Sequence, residues 1–560
     1  MPEIRDRPYD ASTCERLVGA GCDRHLARLY AARGLDDLAL LATTLASLVA
    51  PEKLHHVDDA ARMLANCIEK RERLLIVGDY DADGATACAV GVKALRAMGA
   101  VVDFIVPNRF DHAYGLSPEI VREAAKRSPQ VLITVDNGIA SHEGIAEANR
   151  LGMRVLVTDH HLPAATLPDA ACIVNPNQAD CGFPSKHLAG VGVIFYVMLA
   201  LRAELRRRGA FASRAEPNLA ELLDLVALGT VADVVRLDAN NRILVTQGIA
   251  RIRAGKASPG VAALLEVAAR DAKRVTAFDL GYSVGPRLNA AGRLDDMSLG
   301  IACLLAKDVT TAMGIASQLD RLNKERREIE GEMQISALKL VDEVQSTDGY
   351  SMVLHRDDWH TGVVGLLASR LKDRFHRPAF AFASDGDNVK GSGRSIAALH
   401  LRDALDLVDK RNPGMLIRFG GHAAAAGATL PRSRLDDFRA AFESVARERL
   451  TLADLAQTIE VDGELEAGDM TTEFALLLRE HVWGQGFPEP RFSGHFRVES
   501  QRVVGEKHLK LALVLGGQRF YGIRFGSAES VPSEVRLVYR LDVNEYQGAS
   551  SLQLVIEHVG

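Results

Sequence analysis

An α/β protein with a parallel sheet, a long connecting helix and a C-terminal β-barrel is the architecture that this sequence of 560 residues predicts. Three observations carry the prediction. From residue 55 onward, short β-branched runs alternate with amphipathic helical stretches, as in right-handed strand–helix–strand units. Residues 308–344 hold one long, strongly charged helical pattern. After the Gly/Pro-rich bend VWGQGFPEPRF, the chain changes to short alternating strands separated by glycines, which suits a small barrel of the OB type.

Taken in order, residues 1–50 are helical in pattern and carry no evident chemistry. His55–Arg71 reads as a helix leading to the strand Leu74–Val77, and Ala85–Met98 as the helix after it. Between them lies GDYDADG, with Asp79, Asp81 and Asp83 ahead of Gly84. Further strands are expected at 101–106 (VVDFIV), 131–135 (VLITV), 154–158 (RVLVT) and 172–174, the last before the turn Asn175-Pro176-Asn177. Asp136 lies just past the third strand, and Asp159, His160 and His161 just past the fourth. Asp233 follows the apolar run LLDLVALGTVA, which reads as a buried helix turning into a loop.

Open α/β sheets bind ligands at the carboxyl ends of their strands, where these acids fall. Three carboxylates within five residues repel one another unless a cation is shared among them. An Asp-rich turn without metal is the plain alternative. A calcium EF-hand is excluded, because the twelfth position counted from Asp79 is Val90 rather than a bidentate Glu. Four separate segments delivering Asp or His to one sheet edge point to a metal centre. Oxygen-rich ligation with one or two imidazoles suits Mn2+ or Mg2+ better than structural zinc. The number of ligands suggests two divalent cations sharing a carboxylate, about 3.5–4 Å apart.

Composition sets the limits. With 47% hydrophobic and 25% charged residues, the chain reads as an ordinary water-soluble protein. The longest apolar run, Val191–Leu201, is too short to span a bilayer, and the start resembles no signal segment. Seven cysteines without a C-x-x-C pair argue against a disulfide framework or zinc ribbon, so a cytoplasmic location is expected. A net charge of −6 leaves any nucleic-acid contact to local basic patches. No heptad seam suggests assembly, and a monomer is expected.

The motifs GDYDADG, VDNG, TDHH and TVADVV resemble the four motifs of the DHH phosphoesterases, which take their name from the triplet Asp159-His160-His161. The phrases VPNRFDHAYGL, GPRLNAAGRLDD, WHTGVVGLLASRL, KGSGRS and RFGGHAAAAG narrow the likeness to the family's single-strand-specific 5′→3′ exonucleases, from residue 50 to the C-terminus. The resemblance implies a parallel-sheet DHH domain at 51–307, a connecting helix at 308–345, a smaller α/β DHH-associated domain at 346–450 and an OB-like DNA-binding barrel at 451–560, after the N-terminal segment 1–50. It also implies that Asp81 and Asp136 hold one ion and that Asp83, Asp136, His160 and Asp233 hold the other. Val77 stands where pyrophosphatases of the family place a histidine ligand, and Asp79 is expected to replace it. His161 would face the scissile phosphate while Asp159 orients its neighbours.

By the same resemblance, Arg109, Ser392 and Arg394 form a pocket for the 5′-terminal phosphate, and Arg287 makes a further backbone contact. His360 and His422 are expected to bind phosphate as well. KGSGRS (390–395) and FGGHAAAAG (419–427) read as small-residue loops whose exposed N–H groups favour anions. Arg321, Lys324, Arg326 and Arg327 are candidates to line a DNA path. So are His508, Lys510, Arg519 and Arg524 on the barrel, with Tyr521 as a stacking group. Single-strand-binding protein and a RecQ-type helicase are the partners the family implies, beside single-stranded DNA itself. The rival readings are a small-substrate phosphoesterase, which needs neither barrel nor connector, and a non-catalytic strand-binding protein, against which the intact acids argue.

Overall fold

The computed structural model describes residues 2–108, 115–344, 349–546 and 549–560. The chain forms two compact units. The larger comprises Asp6–Asn323 with Val461–Gly560, and the smaller comprises the N-terminal residues through Arg5 with Lys324–Glu460.

A short strand, β1 (Glu3–Asp6), precedes helices α1 (Ala11–Gly19) and α2 (Arg24–Ala31). Next come α3 (Val57–Glu69), β2 (Arg73–Val77), α4 (Ala82–Ala97), β3 (Val101–Ile105), α5 (Pro118–Ala125), β4 (Val131–Val135), α6 (His142–Arg150), β5 (Arg154–Thr158), β6 (Cys172–Val174), α7 (Gly190–Arg207) and α8 (Leu223–Ala232). The strands form a parallel sheet in the order β3-β2-β4-β5-β6. It is buried on both faces, which is why the strands read as unbroken apolar runs. Leu74, Ile76, Ile133 and Leu156 enter one core, while Leu75, Val77, Leu132 and Val155 enter the other with Ile120 and Ile145. Val77 pairs with Thr134, and Val135 with Thr158, so the residues after β2, β4 and β5 share one edge.

The helix Val309–Val344 runs unbroken for 36 residues, about 54 Å at 1.5 Å per residue. Gly314 and Gly331 do not interrupt it. Arg326, expected on a DNA path, is buried instead and pairs with Glu330 one turn on at 2.5 Å. The charge alternation that suggested a basic face is, at this position, internal neutralisation.

In the smaller unit, β7 (Met352–Arg356), β8 (Ala379–Asp385), β9 (Asn388–Arg394), β10 (Arg418–Gly421) and β11 (Ala425–Pro431) form a sheet ordered β10-β11-β9-β8-β7, parallel only between β7 and β8. Phe380, Phe382, Phe438 and Phe442 form its aromatic core, with edge-to-face pairs 5.2–5.5 Å apart between ring centroids. A strand β12 (Thr458–Val461) pairs with β1. The last five strands, β13 (Phe492–Val504), β14 (His508–Leu515), β15 (Gln518–Arg524), β16 (Glu534–Tyr546) and β17 (Ala549–Val559), close a barrel in the order β13-β14-β15-β17-β16. Leu509, Leu511 and Leu513 point inward, with the residues between them outward.

The N-terminal helices belong to the barrel's unit. Tyr30 stacks against Trp483 and Phe487, each at 6.3 Å. Arg33 donates two 2.9 Å hydrogen bonds to the buried carboxylate of Asp462 and a third, of 2.7 Å, to the Pro488 carbonyl.

Candidate active site

The acidic stretch after β2 is not the loop its composition suggests. α4 starts at Ala82, so Asp81 is its N-cap, accepting the Gly84 N–H at 2.9 Å, and Asp83 lies in the first turn. The positive end of the helix dipole thus offsets part of the repulsion among the carboxylates. Gly84 serves close approach: a Cβ there would lie 2.6 Å from the Asp79 carbonyl oxygen.

A second helix N-terminus meets the first. Asp83 accepts the backbone N–H of Gly190 at 2.6 Å and of Val191 at 2.9 Å, both from the first turn of α7. A Cβ on Gly190 would lie 2.5 Å from the Asp136 Cβ, and one on Gly229 of α8 would lie 2.9 Å from Asp83 Oδ1. Three helices therefore converge on one buried carboxylate, two of them through glycine.

Asp136 follows β4 in the left-handed region at φ +63°, which an L-residue adopts only where its surroundings hold it there. Its N–H donates to the Thr158 carbonyl at 3.0 Å. His160 Nε2 lies 3.0 Å from Asp136 Oδ1 and 3.5 Å from Asp233 Oδ2, where Asp233 caps the C-terminus of α8. Among the described residues, these three buried atoms have no hydrogen-bond partner. Ligand atoms of Asp83, His160 and Asp233 lie within 4.8 Å of one another, as do those of Asp79, Asp81 and Asp136, and those of Asp136, His160 and His161. The two acid-rich groups adjoin through Asp136 and His160. Such a donor set, mostly carboxylate oxygen with imidazole nitrogen, fits hard divalent cations.

Burial sets the protonation states. It raises the Asp83 carboxyl to about 7, with Asp81 adding to the shift, and raises Asp136 and Asp233 well above the carboxylate range, with Asp83 and Asp81 adding repulsion. Burial and the neighbouring His161 push His160 down to about 4, so its imidazole is neutral at pH 7 and suited to ligation. For His161, burial opposes charging, but the 2.8 Å hydrogen bond from Nδ1 to Asp159 prevails and lifts it to about 9. Asp159 is correspondingly lowered against its own burial. It also accepts the N–H groups of Ile139 at 2.9 Å, His160 at 2.7 Å and His161 at 3.1 Å, so it organises the loop around it.

Several supporting residues lie within stretches already noted in the sequence, without their individual roles having been assigned there. Asn289, in the helix Gly285–Leu294, accepts the Ala82 N–H at 2.9 Å, between Asp81 and Asp83. Gly292 lets the same helix lie against the Tyr80 carbonyl, where a Cβ would be 1.9 Å away. Asn175 and Asn177 donate to the carbonyls of His161 (2.9 Å) and His160 (2.6 Å), which gives the Asn-Pro-Asn turn a purpose.

In the smaller unit, Ser392 and Arg394 lie on β9 rather than in a loop. Gly391 and Gly393 alternate with them and face Phe382 and Phe380, where added Cβ atoms would lie 2.3 and 2.4 Å from the rings. These glycines make room for the aromatic core, so KGSGRS as a small-residue loop is corrected. Ser392 and Arg394 face the other way, towards Gly365 at the start of the helix Val364–Phe375. His360 precedes that helix and accepts the Gly362 N–H through Nδ1 at 3.1 Å. His422 is exposed in the turn between β10 and β11. In the larger unit, Arg287 is engaged internally, bonding Asp320 at 2.8–2.9 Å and the Ser283 carbonyl at 2.5 Å. Arg109 lies outside the described residues. Among the described residues, no helix is long and apolar enough to cross a membrane.

A parallel sheet with carboxylates and a Asp-His-His triplet at its carboxyl edge defines a phosphoesterase of the DHH class. Accordingly, residues 73–230 match the DHH family N-terminal domain, 348–448 the DHHA1 domain and 461–558 the RecJ OB domain. The chain belongs to the RecJ family. It is 52% identical to the single-stranded-DNA-specific exonuclease RecJ of Dickeya dadantii, over 100% of this chain and 99% of that one. It is likewise 52% identical to the protein of that name from Escherichia coli, over 95% of each. The crystal structure of RecJ from Thermus thermophilus in complex with Mn2+ superposes with a TM-score of 0.82 at 29% identity, covering 100% of this chain and 79% of that one. The Mg2+ complex from the same organism gives 0.76 at 28% identity, covering 100% and 78%.

Proposed function

We propose that this chain is a metal-dependent exonuclease specific for single-stranded DNA, hydrolysing terminal phosphodiesters in the 5′→3′ direction to 5′-mononucleotides. The observation that carries the reading is the meeting of Asp136 Oδ1, His160 Nε2 and Asp233 Oδ2, buried and without hydrogen-bond partners among the described residues, at the carboxyl edge of a parallel sheet. The names of the relatives and the metal-bound structures support the substrate and the cofactor.

In this reading Asp79, Asp81 and Asp136 hold one Mn2+ or Mg2+ ion, and Asp83, Asp136, His160 and Asp233 the other. When bound, such a pair activates water and stabilises the attacking and leaving oxygens of a phosphate displacement. The amides of Gly190 and Val191 fix the Asp83 carboxylate, so its direction does not depend on the ion. His161, kept protonated by Asp159, supplies a positive charge and a proton for the leaving oxygen. Asp159 is the positioning residue for both histidines. Ser392, Arg394, His360 and His422 are assigned to phosphate contacts and Arg109 to the 5′-terminal phosphate. Arg287 is assigned to the strand through the helix it anchors.

The finer biological reading places a monomer in the cytoplasm, acting in recombination and repair with single-strand-binding protein and a RecQ-type helicase. The central test is to incubate the protein with Mn2+ or Mg2+ and a long strand labelled at either end. Mononucleotides released first from the 5′ label are expected. Digestion of di- and trinucleotides alone, or release from the 3′ label, contradicts the reading.

A further inference from the structure

Phe278 and Tyr282 form an exposed aromatic pair, 47% and 72% accessible, with ring centroids 4.6 Å apart and planes within 21°. Exposed, mutually stacked rings in a chain with only 5% aromatic residues mark a contact surface. The turn that carries them is held firmly. Thr276 and Asp279 close a capping box, Arg270 reaches Ser283 Oγ at 3.1 Å, and Arg287 holds the Ser283 carbonyl. Leu280–Val284 winds as a π-helical turn, a form frequent at functional sites.

Two contacts fix where the pair stands. The helix Gly285–Leu294 follows directly and buttresses the acidic stretch through Asn289 and Gly292. Asn289 lies seven positions after Tyr282, about 10 Å along a helix axis. On the other side, the Arg540 guanidinium of β16 lies 5.9 Å from the Phe278 ring centroid. Arg540 pairs with Glu489 and Glu557, so it supports the ring rather than offering charge to a ligand. The pair therefore lies between the barrel and the acidic centre, within the same compact unit.

We infer that Phe278 and Tyr282 are a base-stacking platform for the single strand as it passes from the barrel to the acidic centre. The inference rests on the exonuclease reading and extends it to a base contact beyond the scissile phosphate. Flat, neutral rings whose neighbouring cations are already paired suit a nucleobase better than a phosphate, and stacking tolerates any base.

The test measures strand affinity by fluorescence anisotropy in the Asp136→Ala background, with a labelled 30-nucleotide strand and a set carrying one abasic position each. Tyr282→Ala should weaken binding of the intact strand by about tenfold, and Tyr282→Phe should restore it. In the parent, abasic substitution at one or two positions near the 5′ end should cost a similar factor. On those strands Tyr282→Ala should add nothing further. An unchanged melting temperature, and an unchanged Mn2+ affinity when Tyr282→Ala is made in the otherwise wild-type protein, show that the fold stands. Equal affinity of Tyr282→Ala and parent for the intact strand, or the same abasic profile in both, overturns the platform and leaves the pair to a protein partner. Failure of the exonuclease reading shows separately, as a wild-type protein that cleaves no labelled strand.

Discussion

The parallel sheet of the larger unit and the mixed sheet of the smaller one each have five strands, and both set glycines beside candidate ligands. They do so by different geometry. In the parallel sheet, register lines up strand ends, so Asp79, Asp136 and Asp159 gather at an edge while the strands stay wholly apolar. Glycines there bring backbones close, as Gly190 and Gly229 do around Asp83. In the mixed sheet, the period-two alternation of a strand separates roles by face. Gly391 and Gly393 yield space to Phe382 and Phe380, and Ser392 and Arg394 point to the opposite side. An edge collects groups from many segments, whereas a face presents groups from one. The edge can therefore build a multidentate metal centre, and the face a flat anion contact.

Losing the residue proposed as a shared ligand at the edge should have the largest effect. Asp136→Ala is expected to lower turnover by about a thousandfold or more while strand affinity, read by anisotropy, persists. Residual turnover above a tenth of wild type would remove Asp136 from its proposed bridging place. Gly190→Ala forces a methyl group against Asp136 and should weaken Mn2+ binding by about 10–100-fold, measured by titration calorimetry. On the face, Gly393→Val should leave Mn2+ affinity unchanged and destabilise the protein by about 1–3 kcal/mol in urea unfolding, because Phe380 has nowhere to move. Undiminished stability would return these glycines to an anion-binding role. Arg394→Lys should raise KM by about tenfold for a 5′-phosphorylated strand and leave a 5′-hydroxyl strand unaffected.

The smallest expected effect is acid sensitivity of the contact between α2 and the segment just before the barrel, at His481. Burial holds the His481 imidazole below its ordinary 6.5, beside the Tyr30 hydroxyl at 3.0 Å. Below pH 6.5 the unfolded chain takes up a proton that the folded one resists. Stability is therefore full above that pH and falls as pH drops towards 5. His481→Gln should flatten the melting-temperature profile between pH 7 and 5.

How much was readable beforehand follows from the same contrast. The ends of elements are local, so Asp79, Asp81, Asp83, Asp136, Asp159, His160, His161 and Asp233 stand out in one dimension. The parallel strands were equally plain, since burial on both faces writes an uninterrupted apolar run. Gly190, Gly229 and Asn289 were not, because each acts on a residue roughly 50–200 positions away, and a glycine in an apolar helix signals nothing by itself. KGSGRS misled because glycines in a run suggest a turn, whereas pairing on both sides makes it a central strand. Arg287 read as available because Asp320 is 33 residues distant. For Arg326 the warning was present, with Glu330 at the i+4 position.

The tie between Arg33 and Asp462 bears on how the chain is made. The residues that partner α2 emerge from the ribosome more than 400 positions later, roughly 20–90 s at ordinary elongation rates. Throughout that interval Tyr30 and Arg33 lack the surfaces that cover them in the finished protein. That face of the opening helices thus waits until residues 462–488 have been made, just ahead of the barrel strands that begin at Phe492.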